Sequence, residues 1–397
     1  MKKWFIVPFM FILMACQTTT SIDTITIWHD KEQAIADVIE AHLQEAFPNT
    51  TFNLVRRESL TDTLKLVGNT ASSAPDLFIF AHDKVGLFAE IGILEPITSF
   101  LDTSELEVFL PITLEAATYQ DTLYQLPFYF ETLLFMYNQD RLSSDEVPTT
   151  TDDLLEYMRN VTDARRFGFV EQHSNAYYAA GWIHAFGGRL IDADGTPLLN
   201  DPKTLEALRY QQQFITYMPR GQAEYATINT LFYERRANAI IGGPWMVPTA
   251  RERGINLGFA PMPIVNQTGV RLSPFMGVQG IHVLKVAVQD EAKHAFIGDI
   301  LRHLIDPQLG IELAKVAGIA PAHQEAYNDD FIQTDPLVQA MYEAASSAIP
   351  MSNLPQMDIL WVTAADMLVQ INLRGQDIEI TANEAQRRSE DLIRRME

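Results

Sequence analysis

Leu126-Pro-Phe-Tyr-Phe-Glu-Thr-Leu-Leu-Phe-Met-Tyr-Asn-Gln-Asp140 is a long apolar, aromatic, β-prone run with one carboxylate, Glu131, near its middle. An unpaired carboxylate buried in such a run costs several kcal/mol. Two readings are open. In one, a core strand ends at solvent and carries Glu131 there. In the other, the run passes from one domain into the next and Glu131 faces a cleft between them.

The sequence on either side bears on that choice. Residues 24–28 alternate as a strand, and residues 31–46 place Ile35, Val38, Ile39 and Leu43 at helical spacing before Pro48. A second alternating strand spans 51–55 and a helix spans 60–67. Residues 76–81, Asp-Leu-Phe-Ile-Phe-Ala, are continuously apolar after the first, as in a strand covered on both faces of a parallel sheet. Strand, helix, strand, helix, strand in under a hundred residues implies an α/β domain. Beyond the central run, Thr150 and Asp153 fit a capping box. Asp201-Pro202, Asp306-Pro307 and Asp335-Pro336 each put an N-cap Asp before a Pro at the first helical position. Residues 191–195 read as a hairpin turn, since their D-x-D-G lacks the other ligands of a calcium loop. Strands are expected at 239–241, running into a Gly-Pro break that presents Trp245, at 256–260, and at 280–288. A terminal helix is expected at 383–396.

The chain has 397 residues, too many for one ordinary core, so two domains are expected. Its formal charge is −22, with a pI of about 4.7. That balance argues against nucleic acid or anionic lipid as a partner, since both need a basic surface. Lys2 and Lys3 precede an eleven-residue apolar run, 4–14, that is too short to span a bilayer. Leu13-Met14-Ala15-Cys16 follows at once. This is a secretory signal, with the only Cys of the chain where a lipobox places its lipidated thiol. The competing reading is a plain signal peptide with a chance Cys. Cleavage before Cys16 removes two lysines and takes the charge from −22 to −24. Residues 16–23 then form a short lipidated tether, and the protein is held on the outer face of a membrane.

Motifs for metal sites, phosphate loops and nucleophile elbows are missing, and the nine His are scattered. No cofactor and no metal is expected. What remains is a set of aromatics and carboxylates at strand ends: Trp28, Phe80, Asp83, Glu131, Tyr177, Trp245 and Trp361. Open α/β sheets bind ligands at strand ends. Aromatic faces beside carboxylates suit a sugar, whose C–H face packs on a ring while its hydroxyls donate to Asp and Glu. Each Trp alone is more often core. Asp83 and Glu131 also permit a glycosidase pair, though no element resembles a barrel.

Several blocks carry a family resemblance. They are residues 74–84 (Ala-Pro-Asp-Leu-Phe-Ile-Phe-Ala-His-Asp-Lys) with 92–97, the Leu126-Pro127 to Tyr137-Asn138 run, Gly187-Gly188, Gly243-Pro244-Trp245, and Asn353-Leu-Pro-Gln-Met357 with Trp361. Over nearly the whole mature length the chain resembles bacterial extracellular solute-binding proteins of the maltose/maltodextrin-binding type, the receptors of ABC sugar importers. The resemblance implies a type II periplasmic-binding-protein-like α/β fold of two lobes, each a mixed sheet with flanking helices, with the ligand between them. The lobes would comprise 24–129 with 279–330, and 130–278 with 331–397. By matching position, Trp28 and Lys31 would line the first-lobe wall, and Asp83 with Lys84 would hold hydroxyls. Glu131 would act from the crossing strand, while Tyr177, Trp245 and Trp361 would form the second lobe's aromatic platform. Departures fall at Phe80, where the family has Trp, at Asn175-Ala176, where it has Glu-Pro, at a shortened loop His29-Asp30, and at Lys84, where Arg would offer a fork of hydrogen bonds. The implied protein is a monomeric, lipid-anchored (palmitate) receptor that hands a maltodextrin-like oligosaccharide to permease subunits and does no chemistry. Other readings are a receptor for a different sugar, an extracytoplasmic glycan-cleaving enzyme, or an adhesion or sensory module that kept the fold.

Overall fold

The computed structural model describes residues 22–221 and 223–396. The expected signal peptide and the lipidated Cys16 lie outside the described residues. Among them run strands β1 (Thr24–His29), β2 (Thr51–Arg56), β3 (Leu77–Ala81), β4 (Leu94–Glu95), β5 (Thr118–Tyr119), β6 (Thr122–Leu123), β7 (Leu126–Thr132) and β8 (Leu134–Asn138). They are followed by β9 (Phe167–Val170), β10 (Ala237–Gly242), β11 (Leu257–Ala260), β12 (Phe275–Leu284), β13 (Ala320–Pro321) and β14 (Ile349–Pro350). The larger sheet has the order β13-β7-β12-β3-β1-β2, with β4 and β14 pairing to β12. The smaller sheet has the order β11-β8-β10-β9, and β5-β6 is a separate hairpin.

β1 is parallel to both β2 and β3, and helices Gln33–Ala46 and Leu60–Val67 supply the crossovers. Alternate residues of these strands feed two separate cores. Ile25, Ile27, Leu77 and Ile79 pack beneath the Gln33–Ala46 helix, while Trp28 and Phe78 pack with Leu60, Leu64 and Phe88 on the other face. Burial on both faces is the reason residues 77–81 read as unbroken apolar sequence. The smaller sheet is built the same way. Phe135, Tyr137 and Ala239 meet Leu360, Ala364 and Ala382 of the last two helices, Met357–Leu368 and Ile378–Ile393, while Leu134, Met136 and Ile240 meet Ile228 and Phe232.

The 126–140 run breaks at the fully buried Leu133. β7 before it pairs with β13 and β12 in the larger sheet, and β8 after it pairs with β10 and β11 in the smaller one. The backbone thus changes sheets within one residue, and Glu131 is the penultimate residue of β7. All ten residues of β12 are buried. The strand expected at 280–288 therefore starts earlier, at Phe275, and gives way to a 3-10 turn at Lys285–Val288. A central strand buried on both faces has no alternation, and the visible pattern came from its exit.

The Asp-Pro signals mark real helix starts. Asp201, Asp306 and Asp335 accept from the backbone N–H of Lys203, Gln308 and Leu337, each at 2.9 Å. Thr150 and Asp153 form the reciprocal capping box. The terminal helix begins at Ile378 rather than 383, because Asp377 caps it.

Candidate ligand-binding site

The strand ends of the larger sheet carry a linked polar wall. Lys31 follows β1 and is buried. Its Nζ donates to Gln279 Oε1 at 2.7 Å, pairs with Asp30 at 2.7 Å, and lies 5.7 Å from the Phe80 ring centre at the end of β3. Gln279 in turn donates through Nε2 to Glu131 Oε1 at 2.9 Å. Lys31, Gln279 and Glu131 are thus one chain of contacts across three elements. Glu131 keeps some exposed surface, yet its carboxyl is densely surrounded. Desolvation raises its pKa to about 7, and Lys31 and the Gln279 hydrogen bond only partly offset this.

A second group stands on the smaller sheet's side. Asn175 caps the helix Ala176–Ala185, accepting from the Tyr177 N–H at 2.9 Å, and the next ring, Tyr177, projects from the first turn. Gly242-Gly243 ends β10, and the 3-10 turn Pro244–Met246 follows; a Cβ at Gly243 would lie 2.2 Å from the Trp245 ring, so only glycine lets the indole fold back there. The Tyr177 ring centre is 6.4 Å from both Trp245 and Trp361 and 6.2 Å from Phe275. All three rings of the sequence-derived platform therefore meet, each of them partly exposed. Trp361 projects from the Met357–Leu368 helix.

The two groups touch. Trp361 Nε1 donates to Asp83 Oδ2 at 3.1 Å. Lys84 pairs with Asp83 at 3.1 Å and with Asp358 at 3.0 Å, and Asp358 also takes Lys65 at 2.8 Å. Burial alone would lower the Lys84 pKa, but Asp83 and Asp358 outweigh it and the ammonium is held above its ordinary value. Asp83 and Lys84 follow β3, whereas Asp358 and Trp361 sit on a helix packed on the smaller sheet. Trp28 is the residue set apart. It is only 6% exposed and packs in the larger sheet's core with Arg57 over its ring at 4.6 Å.

Gln279, Phe275 and Asp358 were not among the expected site residues. Gln279 sits inside a wholly buried strand where a polar residue was the available signal. Phe275 had none, being one aromatic among 22 Phe. Asp358 lies three residues before Trp361, one helical turn away, and that spacing was the usable signal. Among the described residues no group of three His, Cys, Asp or Glu side chains is placed to hold a metal, and no helix is long and apolar enough to cross a membrane. Aromatic faces opposed to paired carboxylates and ammonium groups can clasp a ring-shaped ligand rich in hydroxyls.

Residues 40–340 match the family of bacterial extracellular solute-binding proteins. This chain belongs to that family. A maltotriose-binding protein of Pyrococcus abyssi is 31% identical over 85% of this chain and 75% of its own length. The maltodextrin-binding protein of Bacillus subtilis is 26% identical over 79% of this chain and 76% of its own, and a galactooligosaccharide-binding protein of the same organism is 25% identical over 89% and 85%. Among solved structures, the maltose/maltodextrin-binding domain from Bdellovibrio bacteriovorus bound to maltotriose superimposes with a TM-score of 0.82 at 23% identity, covering 94% of this chain and all of that one. A cyclo/maltodextrin-binding protein complexed with maltotetraose gives 0.81 at 24% identity, covering 94% and 98%. Both share the two-sheet α/β fold. The family is one of extracellular solute-binding proteins.

Proposed function

We propose that this solute-binding protein is the receptor of an ABC importer and that it holds a maltodextrin-like oligosaccharide between its two sheets. The observation that carries the reading is the meeting of Tyr177, Trp245 and Trp361 opposite Asp83 and Glu131. In this reading the aromatic rings stack on the C–H faces of glucose units. Glu131 and Asp83 accept from hydroxyls, Lys31 and Lys84 donate to them, and Phe80 and Asn175 border the cleft. Trp28 acts from behind, supporting the first-lobe wall. The lobes are the bodies built on each sheet. Binding works by hinge closure about the Leu133 crossing, with no covalent step and no cofactor.

The maltotriose- and maltodextrin-binding relatives support the sugar class. The galactooligosaccharide-binding relative, at 25% identity, supports a second reading with a galactooligosaccharide in the same cleft. Calorimetric titration with maltose, maltotriose and galacto-oligosaccharide decides between them. Maltotriose binding with a Kd near micromolar, about −8 kcal/mol, is the expected result. Tighter binding of the galactoside favours the second reading, and binding of neither overturns both. Shortening of maltoheptaose during incubation contradicts a purely binding role. The anchor is proposed at Cys16 on the outer face of the membrane, with the protein monomeric. Cys16→Ser is expected to release it from the membrane fraction, and full retention contradicts the lipid anchor.

A further inference from the structure

β9 and β10 run parallel, so their first residues lie side by side, and an arginine pair precedes each: Arg165-Arg166 and Arg235-Arg236. The Phe167 N–H donates to the Arg236 carbonyl at 2.7 Å, and Arg236 Nε donates to the Arg165 carbonyl at 3.1 Å. Arg235 Nη2 donates to the carbonyls of Arg253 and Gly254, each at 2.9 Å, which brings Arg253 to the same end of the sheet. The length of β10 sets this end about 20 Å from the bend that presents Trp245. A groove of 480 Å³ opens beside the arginines, lined by Phe167, Arg220, Thr227, Thr230, Leu231 and Arg236 among others. The formal charge of −22 conceals this basic end, because its arginines come from separate stretches of the chain.

No carboxylate lines the groove. Among the described residues, Asp163 is the one acid that pairs with any of these arginines, reaching Arg166 at 3.9 Å. The exposed Arg220 side chain has neither a hydrogen bond nor an ion pair among the described residues. Arg236 is exposed too; its Nε is held by Arg165, and its two terminal nitrogens are free to point into the groove. Thr227 and Thr230 stand three residues apart on one face of the helix Tyr225–Tyr233, and Leu231 and Phe167 supply apolar wall. The opposite face of the sheet gives the contrast. The hollow there that carries Arg387, Arg388 and Arg395 also carries Glu384 and Asp391, and Arg388 pairs with Asp366 at 2.7 Å. Cations on that face are matched within the molecule. Those around the groove repel one another and lack such a match.

We infer that this groove is a binding site for a chain of polyol phosphodiesters, with one phosphate held between Arg220 and Arg236. A guanidinium offers a planar fork that matches phosphate oxygens, and the Thr227 and Thr230 hydroxyls add donors for the rest. Arg165, Arg166 and Arg253 lie beyond the groove lining, where they meet the neighbouring phosphates of a chain and are of no use to a lone ion. A recessed groove admits a chain but not the flat surface of a bilayer. Phe167 is partly buried in the core and is the one aromatic ring in the lining, so stacking surface for successive bases is missing and a polyol backbone fits better than nucleic acid. At physiological salt, charges more than about 8 Å away are largely screened, so the acidity of the rest of the protein does not keep such a chain off.

The test is fluorescence anisotropy of a dye-labelled glycerol phosphate hexamer titrated with the full protein over a range of salt concentrations. Saturable binding is expected, weaker by about tenfold in Arg220→Glu/Arg236→Glu, with the slope of log K against log salt reduced by about 1.4 for the two lost phosphate contacts. Arg220→Glu alone breaks no hydrogen bond of the fold and should give part of that loss. Arg387→Glu/Arg395→Glu removes the same charge from the opposite face and should leave binding at the wild-type level. Thermal melts of each variant confirm that it is folded. Absence of saturable binding overturns the inference, as does an equal loss in the two double variants. Equally tight binding of a single-stranded DNA hexamer, or binding to anionic vesicles in place of the oligomer, also overturns it. None of these readings uses maltotriose, so the outcome is independent of the sugar-receptor proposal.

Discussion

Glu131 stands at the point where the backbone leaves one sheet for another, with Gln279 on one carboxylate oxygen and desolvation holding its pKa near 7. Only its ionised form accepts two hydroxyl hydrogen bonds well. Oligosaccharide affinity is therefore expected to fall several-fold as pH drops from 8 to 5.5, because protonation removes the acceptor. In Glu131→Gln that pH dependence should vanish and the affinity at pH 8 should fall by about 1.5–3 kcal/mol, the usual value of a hydrogen bond to a charged group. Calorimetric titration across pH checks both, and a flat wild-type profile contradicts the role. Trp245→Ala removes a stacking face and its buried area, with an expected loss of about 1–3 kcal/mol in sugar binding. Unchanged affinity in that variant takes Trp245 out of the site.

At the scale of elements, the helix after β9 is tied to its neighbours by a carboxylate that has no ionic partner among the described residues. Glu171 accepts from Trp182 Nε1 at 2.9 and 3.1 Å and from Gln211 Nε2 at 2.8 Å, joining the Ala176–Ala185 and Pro202–Ile215 helices. Burial outweighs these donors and raises its pKa to about 7, against 4.5 for an unburied Glu. The folded state then binds its proton more tightly than the unfolded chain does. The associated stability is complete below about pH 4.5 and is lost as pH rises through about 7. Thermal melts of Glu171→Gln should accordingly show a shallower fall in Tm between pH 5 and 7 than the wild type; equal slopes contradict this account. Much at this scale was legible in the sequence. Asp before Pro fixes a helix start through local chemistry, so Asp201, Asp306 and Asp335 were readable without tertiary information. β12 was misplaced because all ten of its residues are buried and its pattern is featureless. Gln279 and Phe275 sit on that same strand, so their part in the site follows from strand order, which no local pattern encodes. Trp361 was expected beside the ligand, but the helix that carries it was not legible.

For the whole molecule, the relevant contacts are those joining the larger sheet's strand ends to the Met357–Leu368 helix. Asp358 receives both Lys65 and Lys84, and Trp361 reaches Asp83. The carboxylate of Asp358 is pushed up by burial but pulled further down by the two ammonium groups, so it stays ionised. Partly exposed pairs of this kind contribute about 0.5–1 kcal/mol each. If they hold the two sheets in the sugar-binding arrangement, Asp358→Asn should weaken oligosaccharide binding about 2- to 10-fold, chiefly through faster dissociation, and should widen the ligand-free protein in small-angle scattering. Unaltered dissociation and scattering contradict a clasp at Asp358. The central claim is that one oligosaccharide bridges the Glu131 wall and the Tyr177–Trp245–Trp361 platform. A crystal structure with maltotriose tests it most directly. The account predicts a sugar ring stacked on Trp245, with hydroxyls on Glu131 and Asp83. Density for the sugar on any other face contradicts it.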